Sequence, residues 1–168
     1  MSYPTEVQGW KALVPDKWVI FDADAIISIL AFEQQFILDE LKELGAKFVH
    51  NNPVMLELMN TDNPKEKLRR SKVIVDYDFV ELPLHNEEIA LASKIQESLP
   101  LKCQPSPTDL YLGGSLAKHR RNSLLLTANI KDFPAPLYIR KGHILLQNDH
   151  RLKVLSLLST DNTKLVDA

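Results

Sequence analysis

The chain has 168 residues, of which 45% are hydrophobic and 25% charged, and its formal net charge is -2. This length and composition predict one globular domain with its own core and exclude disordered and fibrous proteins. The small net charge excludes a general attraction to nucleic acid, so a polyanion would have to bind at local basic clusters. The single cysteine, Cys103, excludes an intramolecular disulfide and a cysteine metal cage.

The chain carries no signal for export or for membrane insertion. Residues 1–17 contain no apolar core of signal-peptide length, and no segment approaches the roughly 20 apolar residues of a membrane span. We therefore expect a cytoplasmic protein that does not associate with membranes.

The first half of the chain alternates between predicted strands and helices. The continuous apolar run at 18–21 is typical of a strand that is buried on both faces. Apolar residues at spacings of three and four then predict one helix over 25–44, which Gly45 ends. A short strand is predicted at 47–49, and Asn52-Pro53 predicts a helix start with Asn as the cap and Pro as the first helical residue.

The second half continues this alternation. Asn63-Pro64 predicts the start of a basic helix over 65–72. The next predicted elements are a strand over 77–82 and helices over 86–98 and 108–120. A fully apolar strand is predicted over 124–127, and apolar stretches follow at 143–147 and 152–158. Strands that alternate with helices predict an α/β fold, namely a three-layer α/β/α sandwich with a mainly parallel central sheet.

Acidic residues stand where such a sheet would form a crevice. Asp22 and Asp24 follow the first buried strand, Asp132 follows the second, and Glu57 and Asp109 lie early on predicted helices. Open α/β sheets bind ligands at the carboxyl ends of their strands. Clustered carboxylates repel one another, and a hard divalent cation such as Mg²⁺ would neutralise them. The pattern therefore predicts a metal site that could promote attack on a phosphodiester.

Each acidic residue also has a purely structural interpretation. Asp22 or Asp24 could cap the following helix, and Glu57 could lie on a solvated helix face. Asp109 ends a Ser106-Pro-Thr-Asp pattern that resembles a capping box. Asn129 and Asp132 could build a turn.

Four motifs in order make the chain resemble the PIN-domain nucleases, in particular the VapC-like ribonucleases of toxin–antitoxin pairs. They are listed here: Val19-Ile-Phe-Asp22-Ala23-Asp24, Pro53-Val54-Met-Leu-Glu57-Leu58, Asp109-Leu-Tyr-Leu-Gly113-Gly114-Ser115, and Leu126-Thr127-Ala-Asn129-Ile-Lys-Asp132-Phe133. The resemblance implies a single PIN-like domain over 1–168, with a motif-bearing core at about 17–134 and a C-terminal extension at 135–168.

The resemblance also implies an activity and a set of site residues. It implies a metal-dependent endoribonuclease, a hydrolase that cleaves RNA with Mg²⁺ or Mn²⁺ and acts as the toxin beside a cognate antitoxin. Asp22, Glu57, Asp109 and Asp132 are the implied metal ligands, Thr127 and Asn129 line the same catalytic site, and Asp24 is an accessory acid. Relatives commonly dimerise, and the apolar stretch 29–36 is a candidate interface.

The sequence departs from the family at several positions. Ala23 and Asp24 replace the usual Thr or Ser and Asn, and Gly113 and Gly114 stand where relatives often have Ala. Because glycine costs about 1 kcal/mol in a helix interior, the glycine pair predicts close packing of this helix on the sheet.

RNA binding would need basic residues, which occur in two clusters. The candidates are Lys67, Arg69 and Arg70 on the basic helix, and Lys118, Arg120 and Arg121 at the end of the Asp109 helix. These residues could equally be solvated helix faces, and cations near a helix C-terminus also suit its dipole.

Two other classes of protein fit parts of the pattern. Asp22-Ala23-Asp24 resembles the Asp-x-Asp of haloacid-dehalogenase-type phosphatases, in which the first Asp is the nucleophile, but that interpretation leaves Glu57 unexplained. A non-catalytic PIN-like module that binds RNA or protein is the other alternative, and metal binding would discriminate it from a metal-dependent enzyme.

Overall fold

A computed structural model of the chain describes residues 5–135 and 137–160. Its strands are β1 Trp18–Phe21, β2 Lys47–His50, β3 Val80–Glu81, β4 Ser123–Thr127, β5 Ile139–Gln147 and β6 Leu152–Ser159. Its α-helices are α1 Ala23–Ala31, α2 Phe36–Glu43, α3 Asn52–Met59, α4 Pro64–Asp76, α5 Asn86–Ser98 and α6 Pro107–Lys118. Short 3₁₀ segments span Thr5–Ala12 and Ile130–Asp132. The predicted α/β class is confirmed, and the ends of the predicted domain, 1–4 and 161–168, lie outside the described residues.

The six strands form one sheet in the order β3-β2-β1-β4-β6-β5. The pairs β1–β2, β1–β4 and β2–β3 are parallel, whereas β4–β6 and β5–β6 are antiparallel. The sheet is therefore mixed, and the prediction of a mainly parallel sheet is wrong. The antiparallel pairs involve β5 and β6, which both lie in the predicted C-terminal extension. A short turn joins these two strands, and consecutive strands joined by a short turn pair antiparallel.

The two strands predicted to be buried on both faces lie at the centre of the sheet. β1 is buried from Val19 to Phe21, and all five residues of β4 are buried. Beside β1, the Phe21 ring contacts the Phe48 and Phe79 rings at centroid distances of 4.8 and 4.9 Å. These contacts anchor the strand whose carboxyl end carries Asp22.

The helix predicted over 25–44 is two helices in the structure. α1 ends at Ala31 and α2 begins at Phe36, and Glu33 between them has a left-handed φ of 56°. A non-glycine residue in this region does not continue a right-handed helix. The apolar spacing of three and four persists across the break, and for that reason the sequence pattern did not show it.

The two Asn-Pro signals start helices, with a shift of one residue at the first. Asn51, not Asn52, caps α3, and its Oδ1 accepts a hydrogen bond from the Val54 backbone N–H at 3.2 Å. Asn63 caps α4 as predicted, and α4 extends further than predicted, to Asp76. The strand predicted over 77–82 is reduced to Val80–Glu81. Within the described ranges, no helix has the length and apolar character needed to cross a bilayer.

Candidate functional site

Asp22 and Thr127 meet where the neighbouring parallel strands β1 and β4 end. The Asp22 backbone N–H donates to the carbonyl of Leu126 at 3.0 Å, which extends the β1–β4 pairing by one residue. The Thr127 Oγ1 then donates to Asp22 Oδ2 at 2.7 Å. Both side chains are buried, with 4% of Asp22 and none of Thr127 exposed. The sheet thus delivers a buried carboxylate to its carboxyl edge, as predicted.

The side chain of Asp22 does not cap the helix that follows it. Asp22 occupies the N-cap position of α1, but its carboxylate makes no capping hydrogen bond. Asp24 lies inside the first turn of α1 and is exposed, so it is not the cap either. The capping interpretation of these two residues is therefore wrong.

The pKa of Asp22 depends on burial, on three neighbouring acids and on a hydroxyl. Burial raises the pKa of Asp22 to about 7, and the hydrogen bond from Thr127 opposes this rise. The negative charges of Asp24, Asp109 and Glu57 raise the pKa of Asp22 further.

Asp132 belongs to the same electrostatic environment. Burial raises the pKa of Asp132, and the charges of Asp109 and Asp24 add to the rise. These mutual influences define one group of carboxylates at the carboxyl edge of β1 and β4. We call this group the acidic cluster, and its members are Asp22, Asp24, Glu57, Asp109 and Asp132.

Glu57 reaches this cluster from an exposed position. On α3, Val54 and Leu58 are buried and Glu57 is exposed. The solvated-face interpretation of Glu57 therefore describes its position. Its charge nevertheless acts on Asp22, where it is the weakest of the three acidic contributions.

Asp109 has a structural task as well as an electrostatic one. Ser106 and Asp109 form a capping box, in which Asp109 Oδ2 accepts from the Ser106 backbone N–H at 2.9 Å and from its Oγ at 2.7 Å. The predicted capping box is thus confirmed. The same carboxylate lies close enough to Asp22 to raise its pKa, so capping and a place in the acidic cluster coexist.

The predicted turn after β4 is also present. The Asn129 side-chain amide donates to Asp132 Oδ2, and the Asn129 backbone N–H donates to Thr127 Oγ1 at 3.0 Å. The Thr127 hydroxyl therefore donates to Asp22 and accepts from Asn129. This places Thr127 as the link between the buried carboxylate and the turn that carries Asp132.

The acidic cluster is not a closed metal cage. Over residues 5–135 and 137–160, no three His, Cys, Asp or Glu side chains are grouped so that they could hold a metal ion directly. The ligand set of Asp22, Glu57, Asp109 and Asp132 stays a prediction.

Arg69, Arg70 and Lys118, three of the predicted RNA-binding cations, contact polar groups of neighbouring helices. Arg69 Nη2 donates to the Leu30 carbonyl at 2.7 Å, and Arg70 Nη1 donates to the Leu58 carbonyl at 2.9 Å. Lys118 Nζ lies 2.9 Å from a carboxylate oxygen of the buried Glu88. These contacts fasten α4 to α1 and α3, and α6 to α5.

The other three candidates are Lys67, Arg120 and Arg121. Lys67 is exposed on α4. Arg120 and Arg121 follow α6 and precede β4, so they lie at the edge of the sheet where its parallel strands begin. The acidic cluster lies at the opposite edge, where β1 and β4 end.

Sequence reasoning missed Tyr138, a buried residue beside the acidic cluster. Its hydroxyl lies against Gly113 on α6, where a β-carbon would overlap it. Burial raises the pKa of Tyr138 above its usual range, and the charge of Asp109, one helical turn before Gly113, adds to the rise. The departure from alanine at 113 was the signal that could have found this contact.

Gly114 serves a second close approach. A β-carbon at Gly114 would overlap the backbone carbonyl of Glu88 on α5. The glycine pair therefore packs against another helix and against Tyr138. The prediction that the glycine pair packs α6 on the sheet is corrected accordingly. A glycine pair in a helix indicates that another part of the protein lies close to that face of the helix, but it does not indicate which element this is.

Gly113→Ala is expected to destabilise the protein by about 1–3 kcal/mol, because the new methyl group overlaps the Tyr138 hydroxyl. Tyr138→Phe removes that oxygen, so Gly113→Ala should cost about 1 kcal/mol less in the Phe background. Urea unfolding of the two single variants and the double variant measures this difference. Gly9→Ala is the control, because nothing lies within 4 Å of the position of its β-carbon. Strict additivity of the two changes would contradict the contact.

Comparison with known proteins gave one weak structural likeness. No family model and no curated protein matches the chain. The crystal structure of TrmN from Thermus thermophilus is similar at 11% sequence identity with a TM-score of 0.34. The likeness covers 92% of this chain and 47% of that chain, so the chain spans about half the length of TrmN.

The prediction of a metal-dependent endoribonuclease is corrected. The chain is similar to the structure of TrmN, and this likeness points away from a nuclease. Two of the motifs that indicated a nuclease also have general structural roles. The capping box at Asp109 and the turn at Asn129 and Asp132 are local features that any α/β fold can use.

Proposed function

We propose that this chain is a PIN-like α/β domain whose acidic cluster binds a divalent cation, Mg²⁺ or Mn²⁺. The observation that carries the proposal is the environment of Asp22, a buried carboxylate next to three further negative charges. A buried charge is costly unless it is paired. A bound cation would supply the missing partner.

The residues present fit a hard cation. The donors are carboxylate oxygens, which Mg²⁺ and Mn²⁺ prefer. Mg²⁺ commonly uses only one or two protein carboxylates and keeps several waters, so it does not require three grouped side chains. Of the influences on the pKa of Asp22, only the Thr127 hydrogen bond favours the ionised form. One hydroxyl does not balance three carboxylates.

In this proposal, Asp22 and Asp109 hold the cation, and Asp24 and Glu57 act on it through water. Asp22 is fixed in place by Thr127, and Asp109 is fixed by the capping box. Asp24 and Glu57 are exposed and can therefore keep their hydration. When bound, the cation would supply positive charge at the carboxyl edge of β1 and β4, where an anionic ligand could approach it.

The PIN-like character of the domain is part of the same proposal. Its support is the order of the four motifs and the placing of Asp22 and Thr127 at the ends of neighbouring parallel strands. A three-layer arrangement of helices around the sheet belongs to this proposal as well. The cytoplasmic location, RNA, a cognate antitoxin and a homodimer stay predictions.

Mn²⁺ titration followed by electron paramagnetic resonance tests the proposal. We expect the wild-type chain to take up one Mn²⁺ at pH 8, and Mg²⁺ to displace it. Asp109→Asn should weaken binding about tenfold or more, because it removes a charged ligand while keeping an acceptor for Ser106. Glu97→Gln is the control, since Glu97 is an exposed acid on α5 outside the acidic cluster. Equal affinities of wild type and Asp109→Asn would contradict the assigned ligands.

A further inference from the structure

A cleft of about 700 Å³ lies at the edge of the sheet opposite to the acidic cluster. Trp18, the first residue of β1, is one of its walls. Side chains of α5 between residues 87 and 94, the end of α6 and residues 119–122 form the others. We call it the basic cleft. Its volume is in the range of small-molecule sites, which span about 300–1,000 Å³.

Positive charge predominates in the lining of the basic cleft. Lys94, Lys118, Arg120 and Arg121 line it, and Glu87 is the one acidic residue among its lining residues. Lys118 is engaged with Glu87 and Glu88, at 3.3 and 2.9 Å. Lys94 and Arg120 also interact within the protein, and their charges still contribute to the field of the cleft.

Arg121 is an exposed cation at the rim of this cleft. Its backbone carbonyl accepts a hydrogen bond from Lys17 Nζ at 3.1 Å. Lys17 therefore adds a further positive charge at the rim. A planar guanidinium at an open rim suits bidentate binding of a phosphate group.

An aromatic surface lies in the same cleft. The rings of Trp18 and His119 lie 5.2 Å apart between centroids and are tilted by 42°. Both residues are half-buried and line the cleft. Burial, followed by the charge of Lys118, lowers the pKa of His119 and so favours the uncharged form of its ring. Such a pair of rings can stack on a nucleobase.

We propose that the basic cleft binds a nucleotide, with its base against Trp18 and His119 and its phosphate at Arg121. This chemistry is shared by a free nucleotide and by a nucleotide unit of single-stranded RNA. The site is separated from the acidic cluster by the full length of β1. The proposal is therefore independent of cation binding at the other edge.

Quenching of tryptophan fluorescence tests this site directly. The described part of the chain contains both tryptophans of the sequence, and Trp10 is only 3% exposed, so Trp18 should report on the cleft. We expect uridine 5′-monophosphate to quench the fluorescence saturably. Trp18→Phe should abolish the quenching, and Arg121→Gln should weaken binding about tenfold. Arg140→Gln, which replaces an exposed cation on β5 outside the cleft, is the matched control and should bind like wild type.

The choice of probe distinguishes the two sources of the nucleotide. Quenching by uridine 5′-monophosphate supports the site with a free nucleotide as its occupant. Quenching by oligouridylate alone supports the site with an RNA strand as its occupant. Absence of saturable quenching by both probes would overturn the proposal, as would equal binding by wild type and Arg121→Gln.

Discussion

In a buffer free of divalent cations, the free energy of unfolding of Asp22→Asn, relative to that of the wild type, should rise by about 4 kcal/mol between pH 4 and pH 8. The cause is the pKa of Asp22, which burial and three neighbouring acids raise from 3.8 to about 7. The folded wild-type protein must ionise this buried carboxyl at high pH. The asparagine side chain does not ionise, so the variant avoids that cost.

The sign follows from proton binding. Between its unfolded pKa near 3.8 and its folded pKa near 7, Asp22 carries a proton in the folded chain and none in the unfolded chain. The contribution of Asp22 to stability is therefore fully present below about pH 4 and lost as the pH rises through 7. In the Asp22→Asn variant, the buried amide costs a constant amount at all pH values, about 1–3 kcal/mol for one unpaired donor.

Chemical unfolding at several pH values measures this shift. Asp149→Asn is the control, because Asp149 is exposed in the turn between β5 and β6. The free energy of unfolding of this variant should stay within about 0.5 kcal/mol of the wild-type value at each pH. A pH-independent difference between Asp22→Asn and wild type would show that the folded environment does not penalise the ionised carboxyl.

Mg²⁺ should stabilise the wild-type chain at pH 8 by about 2.7 kcal/mol at a concentration one hundred times its dissociation constant. The reason is that the cation binds the folded acidic cluster and not the dispersed carboxylates of the unfolded chain. Because the cation binds ionised Asp22, its affinity should fall about tenfold for each pH unit below 7. Thermal unfolding with increasing Mg²⁺ at pH 8 and pH 6 measures both effects.

Two variants separate specific binding from a general salt effect. Asp109→Asn should lose most of the stabilisation by Mg²⁺, whereas Glu97→Gln should keep it. Na⁺ at equal ionic strength should not reproduce the effect of Mg²⁺, since screening acts on exposed charges in general. Equal stabilisation of all three proteins would assign the effect of Mg²⁺ to sites other than the acidic cluster.

Local signals in the sequence predicted much of the fold. The fully apolar runs at 18–21 and 124–127 correspond to β1 and β4, and the helix predicted over 86–98 is α5. The break between α1 and α2 was missed, because it depends on the backbone of Glu33 and not on hydrophobic spacing. The antiparallel hairpin β5–β6 was seen only as two apolar stretches, since its pairing with β4 is a contact between distant parts of the chain.

The candidate site was predictable as a set of residues but not as an arrangement. That Asp22 and Thr127 would meet followed from their places at the ends of two strands, and the structure joins them by a hydrogen bond. The exposure of Glu57 and the second task of Asp109 depend on how α3 and α6 are oriented, which spacing does not determine. Tyr138 is distant from Asp109 along the chain, and only the fold brings them together.

Calorimetric titration of Mn²⁺ into the wild-type chain and into Asp22→Asn at pH 8 tests the central claim most directly. We predict one site per chain in the wild type and no measurable binding in Asp22→Asn, which unfolding experiments can show to be folded under the same conditions. Binding of Mn²⁺ to folded Asp22→Asn with wild-type affinity, or no binding to the wild type, would contradict a cation site built on Asp22.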